Sequence, residues 1–141
     1  TDCGGWDTHV AQGSTKGQLS ARLQDFGGSL GAFLTDLSDR MDQICLVTLT
    51  EFGRTARENG NRGTDHGHGN VMFIVGKGIR GDRVYSHWPG LAARDLDDGD
   101  LAVTTDYRQV VSDVLRHRLA NPHIDRVFPG LAYRPVGLAP H

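Results

Sequence analysis

The run Gln43-Ile-Cys-Leu-Val-Thr-Leu-Thr50 limits the fold more than any other stretch of the chain. It is rich in β-branched residues and apolar at successive positions, so a strand built from it shows apolar side chains on both faces. Both faces then need cover, as in the interior of a parallel sheet. The strand ends directly at Glu51. A second run, Val71 to Val75, reads as another buried strand, and a shorter one is expected at Arg83 to Ser86.

Two helices flank these runs. Leu19, Leu23, Phe26, Leu30, Phe33 and Leu37 recur at steps of four and three, which predicts one apolar stripe on a helix from about Thr15 to about Arg40, capped by Ser14 or Thr15. Gly27, Gly28 and Gly31 each weaken it by roughly 1 kcal/mol relative to alanine and suggest close approach of another element. Tyr107, Val110, Val111, Val114, Leu115 and Leu119 follow the same template, with Thr104 or Thr105 as cap and Asn121-Pro122 as stop. Alternating helix and strand predict an α/β layer with Ile44, Leu46, Val47, Val71, Phe73 and Ile74 in one core and both helix stripes packed on it. The acidic stretch Asp95 to Asp100 is expected on the surface, and residues 125–141 as an extended strap.

Composition sets the class. The chain has 141 residues, 38% of them hydrophobic, the size of one ordinary domain with a real core. Fifteen basic residues against seventeen acidic ones leave no basic stripe for a phosphate backbone, so no nucleic acid is expected as partner. The longest apolar run, Ile44 to Leu49, is far too short to cross a bilayer, so no membrane is expected either. Cys3 and Cys45 match no disulfide framework or zinc spacing, and Cys45 reads as core. The chain opens on Thr1-Asp-Cys-Gly-Gly-Trp, without a starter methionine or targeting segment, and reads as the C-terminal portion of something longer.

The chemistry gathers in three places. In Gly4-Gly-Trp-Asp-Thr-His9, Asp7 and His9 sit two apart and point to the same side of an extended segment. In Glu51-Phe-Gly-Arg54, an acid and a guanidinium follow the end of a buried strand, where open α/β sheets bind ligands. In Gly63-Thr-Asp-His-Gly-His-Gly69, three ligand-type side chains lie on a backbone free to bend round an ion. Carboxylate oxygens and imidazole nitrogens together form the donor set of zinc, manganese or iron hydrolases. Each stretch also has an ordinary reading, as a turn, a loop start or a pair of solvated loop histidines. His87, His117, His123 and His141 stand apart from any such cluster and read as structural or solvated.

Four ordered motifs, "GGWDTH", "EFGRT", "GTDHGHG" and "TTDYR", joined by the long amphipathic helix and the strand "VMFIVG", resemble the C-terminal half of the DUF1501 proteins. These are bacterial proteins placed in the alkaline phosphatase and sulfatase superfamily. The resemblance runs from Gly4 to about Leu119. It implies a three-layer α/β/α fold with a mainly parallel sheet, a partial alkaline-phosphatase-like fold, and an exported, periplasmic location. It also implies a metal site at the strand ends. Asp7 and His9 stand where the superfamily has its late Asp and His ligands, Glu51 where an acid closes the next strand, and His66 or His68 where the final His falls. The first pair is spaced by one residue rather than three, and Phe52 stands where a His usually follows the acid. These departures point to one metal rather than two. The superfamily's nucleophile comes from the first strand, upstream of the half that this chain resembles.

Two readings follow. The first is a metal-dependent hydrolase of small phosphate or sulfate esters, with a divalent ion held by residues among Asp7, His9, Glu51, Asp65, His66 and His68, of which at least four should converge. Zinc is the first choice, with manganese, calcium or iron as alternatives. Arg54 would clamp an anionic oxygen, and Asp65 would accept the second ring N–H of a ligating imidazole. The second is a non-catalytic binding or scaffold domain that kept the fold without the nucleophile.

Overall fold

The computed structural model describes residues 1–139; Pro140 and His141, the end of the expected strap, lie outside the described residues. In chain order the elements are α1 (Gln18–Asp36), β1 (Cys45–Val47), β2 (Gly53–Arg54), β3 (His66–Gly67), β4 (Ile74–Gly76), β5 (Leu96–Asp97), β6 (Asp100–Leu101), α2 (Tyr107–Arg118) and α3 (Ile124–Val127). They fall into two compact units. One comprises Thr1–Asp39, Thr50–Val71 and Pro89–Ala102; the other comprises Arg40–Leu49, Met72–Trp88 and the chain from Val103 onward. Among the described residues, no helix is long and apolar enough to cross a membrane.

The second unit carries the apolar core. The strand β1 pairs with β4 antiparallel, in the register Cys45↔Gly76, Leu46↔Val75 and Val47↔Ile74. Period-2 alternation then sends Cys45, Val47, Met72 and Ile74 to one face, where they pack on buried Val110 and Val114 of α2 and on Leu138. Val71 and Phe73 are not part of this core: they are 63% and 45% exposed. Asp106 caps α2, its Oδ1 accepting from the Arg108 N–H at 2.9 Å, rather than Thr104 or Thr105. Arg108 folds back on the same carboxylate, and its hydrogen bond holds the Asp106 pKa below the ordinary range.

The expected three-layer α/β/α fold around a mainly parallel sheet, with its partial alkaline-phosphatase-like form, is corrected by this pairing. Among the described residues the sheets are three separate two-stranded ribbons, all antiparallel, with strands of two or three residues. An apolar run reports that a strand is covered, but not the direction of its neighbour. Thr48 shows why the ribbon is short. Its N–H reaches the Phe73 carbonyl and its hydroxyl accepts the Phe73 N–H, so a side chain takes over from the ladder one residue past Val47. The strand expected at residues 83–86 does not form.

The strap is held by Asp113 of α2, which is 1% exposed. Its Oδ2 accepts the backbone N–H groups of Val136, Gly137 and Leu138 at 3.1, 2.9 and 3.1 Å. Its Oδ1 accepts the Tyr133 hydroxyl at 2.5 Å. Burial, then the Asp113 hydrogen bond and charge, push the Tyr133 pKa from 10.0 up to about 12, against a small opposing pull from Arg116. The folded protein therefore keeps the phenol neutral where the unfolded chain ionises it. This stabilisation is complete below about pH 10 and drains away as pH rises through about 12. Urea midpoints measured across that range should fall more steeply for the parent than for Tyr133→Phe; parallel curves would rule the linkage out.

The first unit is built mainly from turns. The helix α1 starts after Gly17, not at a Ser14 or Thr15 cap, and none of its side chains is buried. Of its stripe, Leu23 is 49% exposed, Leu30 is half-buried, and Phe26 meets the Trp6 ring edge-on at 5.9 Å. The acidic segment folds into the β5–β6 hairpin, turned by Asp98 and Gly99 at φ 50° and 92°, the paired left-handed conformations of a two-residue hairpin loop. The stretch from Glu51 to Asn70 is not structureless: β2 and β3 pair antiparallel, with Gly53 opposite Gly67 and Arg54 opposite His66.

Candidate metal centre

The residues preceding α1 lie along the β2–β3 ribbon. Thr64 N–H reaches the Thr8 carbonyl, while Ala11 and Gln12 N–H groups reach the carbonyls of Asn61 and Arg62. Alternation along this segment turns Thr8 inward, 5% exposed, where its hydroxyl and that of Thr64 both donate to the Gln12 side-chain oxygen at 2.8 and 2.7 Å. Asp7 and His9 are thereby turned outward together.

The glycines of the ribbon make this close approach feasible. A Cβ at Gly63 would overlap the His9 carbonyl, and one at Gly67 would come within 2.7 Å of the Arg54 carbonyl carbon. Neither glycine has a left-handed φ. They serve backbone-on-backbone packing rather than a turn.

Three donor atoms meet here. His66 Nε2 stands 2.8 Å from Asp7 Oδ1, and His9 Nε2 stands 3.0 Å from the same oxygen. The ligand atoms of Asp7, His9 and His66 all lie within 4.8 Å of one another. Donors on a tetrahedral zinc stand roughly 3.3 Å apart, given bonds of about 2.0 to 2.1 Å, so each imidazole nitrogen would need to draw only a few tenths of an ångström away from Asp7 Oδ1 to share an ion with it. Two imidazole nitrogens and one carboxylate oxygen suit zinc, and partial exposure leaves room for water or substrate on the open side.

Charge in the site is organised by neighbours. The hydrogen bond from His66 lowers the Asp7 pKa, helped by the charges of His9, His66 and Arg54 and opposed by desolvation. Asp65 Oδ1 faces His9 Nδ1 at 3.0 Å, on the far side of the ring from Asp7. Its pKa is lowered first by a hydrogen bond from Asn59 and then by one from His9. Both carboxylates are thus held in their ionised, ligand-competent form.

Arg54 is turned toward this cluster. Three of the five N–H donors of its guanidinium go to the Thr64 carbonyl at 2.7 Å, the Trp6 carbonyl at 2.5 Å and Asp7 Oδ1 at 3.0 Å. Phe52 stacks on His66 with ring centroids 4.3 Å apart and planes within 9°, and the Arg54 guanidinium lies over the Phe52 ring at 4.8 Å from its centroid.

Of the six residues singled out as metal donors, the structure brings together Asp7, His9, Asp65 and His66. His68 turns to Asp100 of β6, with its Nδ1 3.2 Å from Oδ2. Glu51 lies outside the group, exposed at a bend before β2. Phe52 and Asn59 were not singled out as site residues. An aromatic next to an acid carries no ligand signal, and Asn59-Gly60 reads as an ordinary turn. His87, His117 and His123 are exposed, and His141 lies outside the described residues.

A family model described as "Protein of unknown function (DUF1501)" matches residues 2–128. No curated protein and no solved structure matches the chain.

Proposed function

Since the chain belongs to the DUF1501 family, we propose that Asp7, His9 and His66 hold one divalent metal ion, zinc before manganese, calcium or iron, in a hydrolase acting on small phosphate or sulfate esters. The observation that carries the reading is the convergence of two imidazole Nε2 atoms on one oxygen of Asp7, from segments 59 residues apart. When bound, such an ion supplies Lewis-acid polarisation of an ester oxygen. Arg54 anchors the ligand carboxylate through one of its N–H donors, and Phe52 fixes the His66 ring. Asp65 accepts the second ring N–H of His9 and so keeps Nε2 aimed at the centre. The kinship with alkaline phosphatases and sulfatases belongs to this proposal as a likeness of ligand chemistry, not of sheet architecture.

The test is zinc calorimetry on the metal-stripped protein, with ester hydrolysis followed on p-nitrophenyl phosphate and sulfate. One zinc per chain is expected, with the same affinity in His68→Ala as in the parent, because His68 is engaged with Asp100. Absence of saturable zinc, manganese, calcium or iron binding would overturn the centre. Metal binding without metal-stimulated hydrolysis would overturn the ester hydrolase alone.

A further inference from the structure

The amide of Asn59 uses its full hydrogen-bonding capacity. Its Nδ2 donates to Asp65 Oδ1 at 2.8 Å and to the His9 carbonyl at 3.1 Å. Its Oδ1 accepts the N–H groups of Asn61 at 2.9 Å and Gly63 at 3.0 Å. Two donors and two lone pairs exhaust what an asparagine side chain offers. The arrangement also fixes which way the amide points, because the reversed orientation would set N–H against N–H and oxygen against a carboxylate. The main chain closes the same turn, with Asn59 N–H on the Gly63 carbonyl at 2.8 Å.

Asp65 Oδ1 therefore has two neighbours at once, Asn59 Nδ2 and His9 Nδ1. Asp65 is exposed, and an exposed carboxylate on a glycine-rich segment would ordinarily sample several rotamers. The Asn59 bond selects the rotamer that meets the His9 ring. Its second donor holds the His9 main chain, so Asn59 grips the backbone of that histidine directly and its ring through Asp65.

We infer that Asn59 is a positioning residue for the Asp7, His9 and His66 centre, acting on the His9 ring through Asp65. The inference rests on the metal-centre reading above and extends it to a residue outside the donor set. Asn59→Asp is the sharpest substitution. It keeps the shape and the acceptor for Asn61 and Gly63, so the turn is retained, but it sets an acceptor against Asp65 and the His9 carbonyl. Partners at this remove from a metal typically change affinity 10 to 100-fold.

The experiment measures zinc affinity by calorimetry, and urea unfolding without metal, for the parent, Asn59→Asp, Asn59→Ala, Asp65→Asn and the Asn59→Ala/Asp65→Asn double variant. Asn59→Asp is expected to bind zinc at least roughly 10-fold more weakly, with an unfolding midpoint close to the parent's. In the double-mutant cycle, Asn59→Ala should cost much less affinity once Asp65 is already replaced. Strictly additive losses would show that Asn59 supports the turn alone, and would overturn the inference. A readout that needs no metal separates the two proposals: the side-chain amide protons of Asn59 should be slow to exchange in the parent and fast in Asp65→Ala. If the parent binds no zinc, the metal centre fails. Amide exchange that ignores Asp65 would defeat the positioning role, whatever zinc does.

Discussion

Alanine at His66 is expected to weaken zinc binding by more than about 100-fold, beyond the 10 to 100-fold typical of residues that only support a ligand. His66 supplies one of three converging donor atoms, and two donors rarely hold zinc against water. The side chain is half exposed, so the metal-free protein should unfold within about 0.5 kcal/mol of the parent. Excess zinc separates the two further. A ligand at 100 times its dissociation constant stabilises a folded protein by about 2.7 kcal/mol, so zinc should raise the parent's unfolding midpoint and leave that of His66→Ala in place. A variant that binds as tightly as the parent would remove His66 from the centre and leave Asp7 and His9 as an ordinary hydrogen-bonded pair.

What the sequence discloses about this site follows from the range of the interactions involved. Asp7 and His9 share a side because alternation is local, and that part could be read directly. That His66 rather than His68 faces them depends on the register of β2 against β3, which pairs Arg54 with His66. Nothing within "GTDHGHG" distinguishes the two histidines. Glu51 follows the apolar run directly, yet it lies exposed at a bend before the ribbon and outside the donor group. The fold divides in the same way. The stripe of α2 is periodic, and Val110 and Val114 are buried. The runs that became β1 and β4 are apolar as expected, but their antiparallel sense is a tertiary property, and a strand apolar on both faces looks alike in either direction. Asp113 was invisible for a related reason. In the sequence it is a polar residue on a helix, and only the returning strap shows that it is buried.

Replacing Asp113 by alanine is expected to destabilise the protein by on the order of 3 to 5 kcal/mol, a large share of the stability of an ordinary domain. The magnitude follows from what is left behind. Three backbone N–H groups, of Val136, Gly137 and Leu138, lose their acceptor together, and each unsatisfied buried donor costs about 1 to 3 kcal/mol. Leu138 is 3% exposed and packs with Val110 and Val114, so release of the strap also opens the core. Asp113→Asn should cost less, because its carbonyl oxygen can still face the three N–H groups while its amide meets the Tyr133 hydroxyl. Urea or thermal unfolding gives the comparison directly, and limited proteolysis should cut the strap first in Asp113→Ala. Equal midpoints for parent and alanine variant would mean that the strap is held by something other than this carboxylate.

The distance along the chain between Asp7 and His66 also sets a timetable. Fifty-nine residues separate them, and the strand that carries His66 must first fold back against Arg54. At about 5 to 20 residues per second, a ribosome adds that stretch in roughly 3 to 12 s. Throughout that interval the nascent segment bearing Asp7 and His9 has no third donor to meet, and α1, made next, shows an apolar stripe without any buried side chain of its own.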